Sequence, residues 1–413
     1  MIFLGIDLGT SGVRGCAIDL QGEELASIKI PLPDIQQPPD WRHAAFNVIG
    51  QLCGQVETRQ IKAIAIDGTS GTVLLCSDDG EPCSPALMYN DQSCTEEARQ
   101  VRHHAPEDCA ARGASASLAK ALHLLGSCPD AAHICHQADW ITGLLCGRFD
   151  VSDENNCLKL GYDPVNRVWP SWLQALNIDS ILLPEVFAPG SVISSVDRTV
   201  ADQLGLPDHC QVVAGTTDSI AAFIATGACE IGQAVTSLGS TLVLKLISDK
   251  PVYSSKLGVY SHRLGNTWLA GGASNSGGKV LLKYFDLDRL NEMTPLLDPE
   301  ARTGLDYYPL IDAGERFPLN DPQLQPKLEP RPDDDVAFFQ GMLEGIAGIE
   351  ARGYRALSQL GAPTVNKVFT AGGGSSNPAW RKIRQQKLGV PVVIAQHTEA
   401  SYGAALLAKR AFI

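Results

Sequence analysis

The sequence predicts an α/β protein of two related domains, residues 1–228 and 232–413. Three observations carry this expectation. The length of 413 residues allows two or three domains at about 150 residues each. Strand-length apolar runs alternate with longer stretches of helical spacing in both halves. Each half also opens on the same pattern: an apolar strand, Leu-Gly, two small hydroxyl residues, then another apolar strand. The first copy is Asp7-Leu8-Gly9-Thr10-Ser11-Gly12-Val13 and the second is Ser237-Leu238-Gly239-Ser240-Thr241-Leu242-Val243. Each copy reads as a β-hairpin with glycine and Ser/Thr at its tip.

Taken in order, Pro31–Pro39 is proline-rich and reads as loop. Ile61–Ile66 is a strand that runs into Asp67-Gly68-Thr69-Ser70-Gly71, and Thr72–Cys76 is the next strand. Residues 207–228 read as strand, turn and helix. Val336–Leu360 is the longest helix, with Phe339, Met342, Leu343, Ile346 and Ile349 on its core face. Residues 309–335 are rich in proline and charge and read as an irregular surface segment.

Composition narrows the function. There are 33 Lys and Arg against 46 Asp and Glu, a net charge of −13, which repels phosphodiester backbones and anionic membranes. No apolar run approaches the roughly 18 residues of a membrane span, and the first residues lack a basic leader, so a cytoplasmic protein is expected. All 12 cysteines lie between Cys16 and Cys229 with no Cys-x-x-Cys pair, as expected of reduced core thiols. Cys128, His133, Cys135 and His136 cluster in sequence, but their spacing fits no common zinc pattern, and they read as helix surface and core. Glycine is in surplus, with 39 residues.

That surplus gathers at strand ends, in five segments that also carry hydroxyl or acidic side chains: Asp7–Arg14, Asp67–Thr72, Gly215–Ser219, Ser237–Thr241 with Gly271–Gly278, and Ala371–Trp380. Glycine lets backbone N–H groups approach phosphate oxygens, and Ser/Thr add donors. Near-matches to other phosphate motifs fail. Ala273–Val280 has Ala and Val where a P-loop needs Gly and Ser/Thr. Gly372-Gly373-Gly374 is followed by Asn377 where a dinucleotide fingerprint needs its third glycine. No Gly-x-Ser-x-Gly elbow is present. What remains is phosphate chemistry without a P-loop: two hairpins holding a triphosphate, Asp7 as a magnesium-organising carboxylate and Asp218 as a general base. Taken singly, Asp218 reads first as a helix N-cap and Asp7 as a turn cap, and it is the five segments together that favour phosphate chemistry.

At these residues the sequence resembles the FGGY carbohydrate kinases. Asp7-Leu8-Gly9-Thr10-Ser11-Gly12 looks like their first phosphate hairpin and Ser237-Leu238-Gly239-Ser240-Thr241 like the second. Ala371-Gly372-Gly373-Gly374-Ser375-Ser376-Asn377-Pro378-Ala379-Trp380 looks like their adenosine segment, and Glu399-Ala400-Ser401-Tyr402-Gly403-Ala404-Ala405 like their closing helix. The resemblance implies the two-domain actin/hexokinase/Hsp70-like ATPase fold, ribonuclease H-like, with a central cleft. Within the family the likeness is nearest to the compact D-ribulokinase (xylulose kinase-like) branch of cyanobacteria and plant plastids, through residues 65–76, Leu158-Lys159-Leu160-Gly161-Tyr162 and Ala214–Phe223. Where xylulokinases carry Gly-Gln-Met-His, this chain has Asp67-Gly68-Thr69-Ser70. Where many members carry Trp-x-Asp-x-Arg, it has Tyr89-Asn90-Asp91-Gln92-Ser93.

The resemblance implies ATP-dependent phosphorylation of D-ribulose to D-ribulose 5-phosphate. The sugar is expected against Asp7, Ser70 and Asp218, with Asp218 the catalytic base and Asp7 organising Mg²⁺ through water. ATP is expected against Thr10, Ser11 and Gly12 on one side and Gly239, Ser240 and Thr241 on the other, with Gly373, Gly374, Asn377 and Trp380 holding the adenosine. The partners implied are a small-molecule sugar and ATP, in a monomer or homodimer. Kinases of D-xylulose, glycerol or ribitol, or a non-catalytic actin-like protein binding sugar and ATP, are the alternatives.

Overall fold

The computed structural model describes residues 1–32 and 37–413, and the chain divides into two compact units: Met1–Ala225 with His397–Ile413, and Thr226–Gln396. The last 17 residues, His397–Ile413, belong to the first unit.

In the first unit the strands are β1 (Ile2–Gly9), β2 (Gly12–Asp19), β3 (Glu24–Pro31), β4 (Ile61–Gly68), β5 (Val73–Cys76), β6 (His133–His136), β7 (Val151–Asp153), β8 (Glu185–Phe187), β9 (Val192–Ser195) and β10 (Gln211–Thr217). The helices are α1 (Pro38–Gln55), α2 (Thr95–His104), α3 (Ser117–Leu125), α4 (Gln137–Cys146), α5 (Arg198–Leu204) and α6 (Asp218–Ala225). The main sheet runs β3-β2-β1-β4-β10-β9, with β1, β4 and β10 parallel. β1 is apolar nearly throughout because both its faces are covered. Leu4, Ile6 and Leu8 pack with Trp41, Val48, Ile49 and Leu52 of α1. Phe3, on the opposite face, packs with Tyr402, Ala404, Ala405, Leu407 and Ala408.

In the second unit, β11 (Gln233–Leu238), β12 (Leu242–Ser248), β13 (Tyr260–Leu264) and β14 (Thr267–Ser274) precede α7 (Gly278–Tyr284), α8 (Leu287–Met293) and α9 (Asp335–Gln359). β15 (Lys367–Ala371), α10 (Pro378–Leu388) and β16 (Val392–Ile394) follow. The sheet order is β13-β14-β12-β11-β15-β16, with β11, β15 and β16 parallel. This repeats the plan of the first sheet, a hairpin continued by parallel strands. It is the structural counterpart of the repeated Leu-Gly-hydroxyl pattern. α9 presents Phe339, Met342, Leu343, Ile346 and Ile349 to the core, as its spacing predicts. Residues 309–334 carry no helix or extended strand.

The chain ends in α11 (Ala400–Arg410). Small residues seat it on the first sheet. A Cβ on Gly5 would lie 2.1 Å from the Ser401 carbonyl oxygen, and one on Gly403 would lie 1.9 Å from that of Ala221. Side chains at either position would force α11 away from β1 and α6, which is why residues 397–413 leave the unit that precedes them.

Two expectations are corrected locally. Pro31 closes β3, and Pro38 and Pro39 open α1, where a missing N–H costs nothing. Residues 33–36 of that expected loop lie outside the described residues. His133, Cys135 and His136 lie on strand β6, not on a helix. All 12 cysteines are free, and seven are buried. No helix among the described residues is long and apolar enough to cross a membrane.

Candidate active site

The five glycine and hydroxyl segments all fall at strand ends. In the first unit they follow the parallel strands β1, β4 and β10, and in the second they follow β11 and β15, with Gly271–Gly278 running from β14 into α7. Ligands of α/β proteins collect at the carboxyl ends of parallel strands, where loops and helix N-termini meet.

Register makes the first group a constellation. Asp7 on β1 pairs with Asp67 on β4, and Asp67 pairs with Thr216 on β10, one residue before Thr217 and two before Asp218. Asp7, Asp67 and Asp218 therefore close three neighbouring strands. Asp7 is buried, and its Oδ2 accepts a hydrogen bond from Arg14 Nη1 at 3.1 Å across the β1–β2 hairpin. Arg14 also reaches Glu399 at 3.2 Å and Ser11 Oγ at 3.4 Å. Burial pushes Asp7 above the ordinary carboxylate value, and hydrogen bonding with Asp67 and the Arg14 charge pull it back. Thr10 and Ser11, at the hairpin tip, are exposed. Gly12 is held against β3, where a Cβ would lie 2.4 Å from the Ile30 carbonyl oxygen.

Asp67 was not among the expected site residues. It is fully buried, and among the described residues no group other than a carboxyl reaches its oxygens. Asp7 and Asp67 are both acceptors when ionised, so they hydrogen-bond only when one holds a proton. Burial, with the like charges of Asp7 and Asp218, pushes Asp67 well above the usual range. The signal was present in the sequence: Asp7 and Asp67 each stand near the carboxyl end of an apolar strand of eight residues.

Ser70 sits half-buried in the turn between β4 and β5, and that turn is fixed on both sides. Thr69 donates its N–H and its hydroxyl to Gln137 Oε1, at 3.1 and 2.8 Å. Thr72 Oγ1 lies 2.6 Å from Thr69 Oγ1 and accepts from the Tyr89 N–H. The buried ammonium of Lys120 donates to the carbonyls of Gly71, at 2.9 Å, and Met88, at 2.5 Å. Gln137 and Lys120 lack any local motif, so nothing in the sequence marks them as supports of Ser70. Asp218 is the first residue of α6 and half-buried, and its Oδ1 accepts from the Ser219 N–H at 2.6 Å. That contact is cap-like, yet the carboxylate also stands where its charge acts on Asp67.

In the second unit the tip Gly239-Ser240-Thr241 joins β11 to β12. Gly278 and Lys279 donate their N–H groups to the carbonyls of Gly239 and Ser240, at 2.9 and 3.3 Å, so the start of α7 braces the tip. A Cβ on Gly277 would meet Ser240 and Thr241 backbone at 2.7 Å. Gly272 serves packing instead, facing the Phe317 ring. β15 pairs with β11 so that Ala371 stands beside Ser237. Gly372 then turns the chain at φ 81°, pressed against Leu238, and Gly373 lies exposed. Asn377 caps α10, accepting from the Trp380 N–H at 2.9 Å, and its amide donates to Thr294 Oγ1 at 3.2 Å.

Trp380 requires a correction. It is 2% exposed, its Nε1 donates to the Leu343 carbonyl at 3.2 Å, and its ring lies under Gly374. With its face and N–H both used inside the core, it supports the glycine turn from beneath and offers no surface to an adenosine.

The cysteine–histidine cluster does not converge. Cys128 Sγ donates to the Cys83 carbonyl and Cys135 Sγ to that of Phe149. His136 is bonded to Asp139 at 2.6 Å and Ser117 at 3.1 Å.

Comparison with known proteins agrees with this geometry. Residues 2–113 match the N-terminal domain and residues 234–412 the C-terminal domain of the FGGY family of carbohydrate kinases. A xylulose kinase of Staphylococcus epidermidis is 25% identical over 98% of this chain and 87% of its own length. The gluconokinase of Bacillus subtilis is 21% identical over 98% and 86%. Among solved structures, a xylulose kinase from Brucella ovis superposes with a TM-score of 0.87 at 22% identity, covering 100% of this chain and 90% of that one. The glycerol kinase of Plasmodium falciparum with ADP gives 0.82 at 18% identity, covering 98% and 88%. With both domain models matched in order, and with the fold of two-domain sugar kinases, this chain belongs to the FGGY family of carbohydrate kinases.

Proposed function

We propose that this chain phosphorylates a pentulose with ATP, with D-ribulose as the substrate and D-ribulose 5-phosphate as the product. The observation that carries the reading is the row of Asp7, Asp67 and Asp218 at the ends of three adjacent parallel strands, with the Thr10-Ser11 tip beside it. Asp218, half-exposed at the entrance of α6, is the carboxylate that accepts the proton of the attacking sugar hydroxyl. Ser70, on its braced turn, hydrogen-bonds the sugar. Thr10, Ser11 and Gly12 offer backbone and hydroxyl donors to phosphate, and so do Gly239, Ser240 and Thr241. Gly373 and Gly374 give the flat backbone for the adenosine, with Asn377 holding the turn and Trp380 underlying it.

Asp7 is a hard oxygen donor at a strand end and fits Mg²⁺ held through its water shell. Bound there, Mg²⁺ would offset phosphate charge. Arg14 keeps the Asp7 carboxylate aimed.

D-xylulose is the second reading, favoured by relatives that carry the name xylulose kinase. The Asp67-Gly68-Thr69-Ser70 turn supports ribulose. Turnover over KM for D-ribulose, D-xylulose, glycerol and ribitol, with the product identified by mass spectrometry and NMR, decides between them. A higher value for D-xylulose overturns the ribulose assignment. ADP release that no sugar stimulates overturns the kinase reading in favour of a sugar- and ATP-binding actin-like protein.

A further inference from the structure

We propose that Cys94, Glu97 and His123 form a zinc-binding site on the α2–α3 helix pair, apart from the strand-end carboxylates. Cys94 is the residue that precedes α2, Glu97 lies in the first turn of α2, and His123 lies in the last turn of α3. The Cys94 sulfur, a Glu97 carboxylate oxygen and a His123 ring nitrogen all lie within 4.8 Å of one another. His123 Nδ1 is 2.8 Å from Glu97 Oε1. Tetrahedral zinc, with bonds of about 2.0–2.3 Å, sets its donors about 3.3–3.8 Å apart, so small side-chain rotations complete the geometry.

The donor set is mixed sulfur, nitrogen and oxygen, which suits zinc better than the all-oxygen preference of magnesium or calcium. Cys94 is fully buried against Ala98 and Ala119, while the His123 side chain is 51% exposed, so the site is closed at its base and open to solvent at its mouth. A water completes the shell. Binding releases the thiol proton of Cys94 to solvent, and neutral His123 offers its unprotonated ring nitrogen.

The position gives the metal a purpose. Lys120, one turn before His123 on α3, holds the Gly71 and Met88 carbonyls on either side of the Ser70 turn. A zinc ion clamping α2 to α3 would brace the helix that carries this lysine.

The test uses the full chain, stripped of metal and titrated with Zn²⁺ alone against a chromophoric chelator, then with Co²⁺ as a spectroscopic probe. The expected result is one Zn²⁺ per chain, and for Co²⁺ a thiolate charge-transfer band with tetrahedral visible bands. Cys94→Ser should abolish the thiolate band. His123→Gln should weaken Zn²⁺ at least about tenfold. Cys83→Ser and Cys128→Ser, away from the site, should keep the metal. His123 is solvent-exposed, so its variant decides the matter even if Cys94→Ser does not fold. Less than one tight Zn²⁺ per chain, a cobalt spectrum without a thiolate band, or zinc affinity unchanged in His123→Gln would each overturn the proposal.

Discussion

Asp7, Asp67, Asp153 and Asp218 are chemically identical side chains, and their surroundings give them different work. Asp218 is partly open to solvent, and the proposed function makes it the base. Asp218→Ala should therefore lower sugar-dependent ADP formation by about 10²–10⁴-fold while leaving the melting temperature close to wild type. A near-wild-type rate would remove Asp218 from the role of base. Asp153 is buried in the segment Ser152–Asn156, and burial, with the charge of Asp139, pushes it up to about 7 from an ordinary value of 3.8. Its raised pKa means the folded state binds more protons than the unfolded state between pH 3.8 and 7. Its contribution to stability is thus present below pH 3.8 and is lost as pH rises to about 7. Asp153→Asn should flatten that slope and stabilise the protein at neutral pH. The amide can be accommodated because Asn156 Oδ1 is buried without a partner, and a flip of the Asn156 amide turns that oxygen toward the new NH₂ group. Denaturant unfolding from pH 4 to pH 8 measures both slopes, and an unchanged slope in the variant would show that Asp153 does not titrate in this window.

Elements owe their places to small residues as much as to large ones. α11 lies on the first sheet because Gly5 and Gly403 allow backbone contact. Gly403→Ala should destabilise by about 1–3 kcal/mol or more, because its new Cβ meets backbone that cannot rotate aside. Gly50, on the exposed face of α1, has open space for 4 Å around the place a Cβ would take. Gly50→Ala should instead stabilise by about 0.5–1 kcal/mol, through helix propensity alone. Urea midpoints of the two variants shifting in opposite directions would separate close packing from propensity, and equal shifts would refute the account of α11. The hairpins were legible at this scale, since Gly-Thr-Ser-Gly and Gly-Ser-Thr between apolar runs admit little else. The destination of α11 was not, because its apolar face states only that it packs, not on which sheet.

At the scale of the molecule, each unit joins a glycine-tipped hairpin to parallel strands, and each needs a rigid sheet beneath its tip. In the second unit the rigidity comes from a buried ion pair. Arg384 donates to both oxygens of Glu350 at 2.7 Å, and also to Thr370 on β15. Thr236 on β11 donates to the same carboxylate at 2.5 Å, so the pair ties the two strands that end in the Gly239-Ser240-Thr241 tip and the glycine turn. Arg384→Met should cost about 3–5 kcal/mol by leaving a buried carboxylate uncompensated. Calorimetry would register it as a lowered melting temperature, and a change within error would mean that the pair is exchangeable for apolar packing. The net charge of −13 disfavours nucleic acid as a partner, yet it does not oppose a small anionic nucleotide, because the field at the tips comes from local donors.

The sequence by itself determined the α/β class, the two hairpins and the strand-end location of all five glycine segments. Periodicity and turn chemistry are local, so they can be read from neighbouring residues. Only the tertiary structure decided that Asp67 stands between Asp7 and Asp218, that Gln137 and Lys120 brace Ser70, that Trp380 lies under its turn, and that the last helix returns to the first unit. Those facts depend on which strands pair, in what register, and how closely two backbones can approach. They join residues far apart in the chain, and no local pattern encodes them.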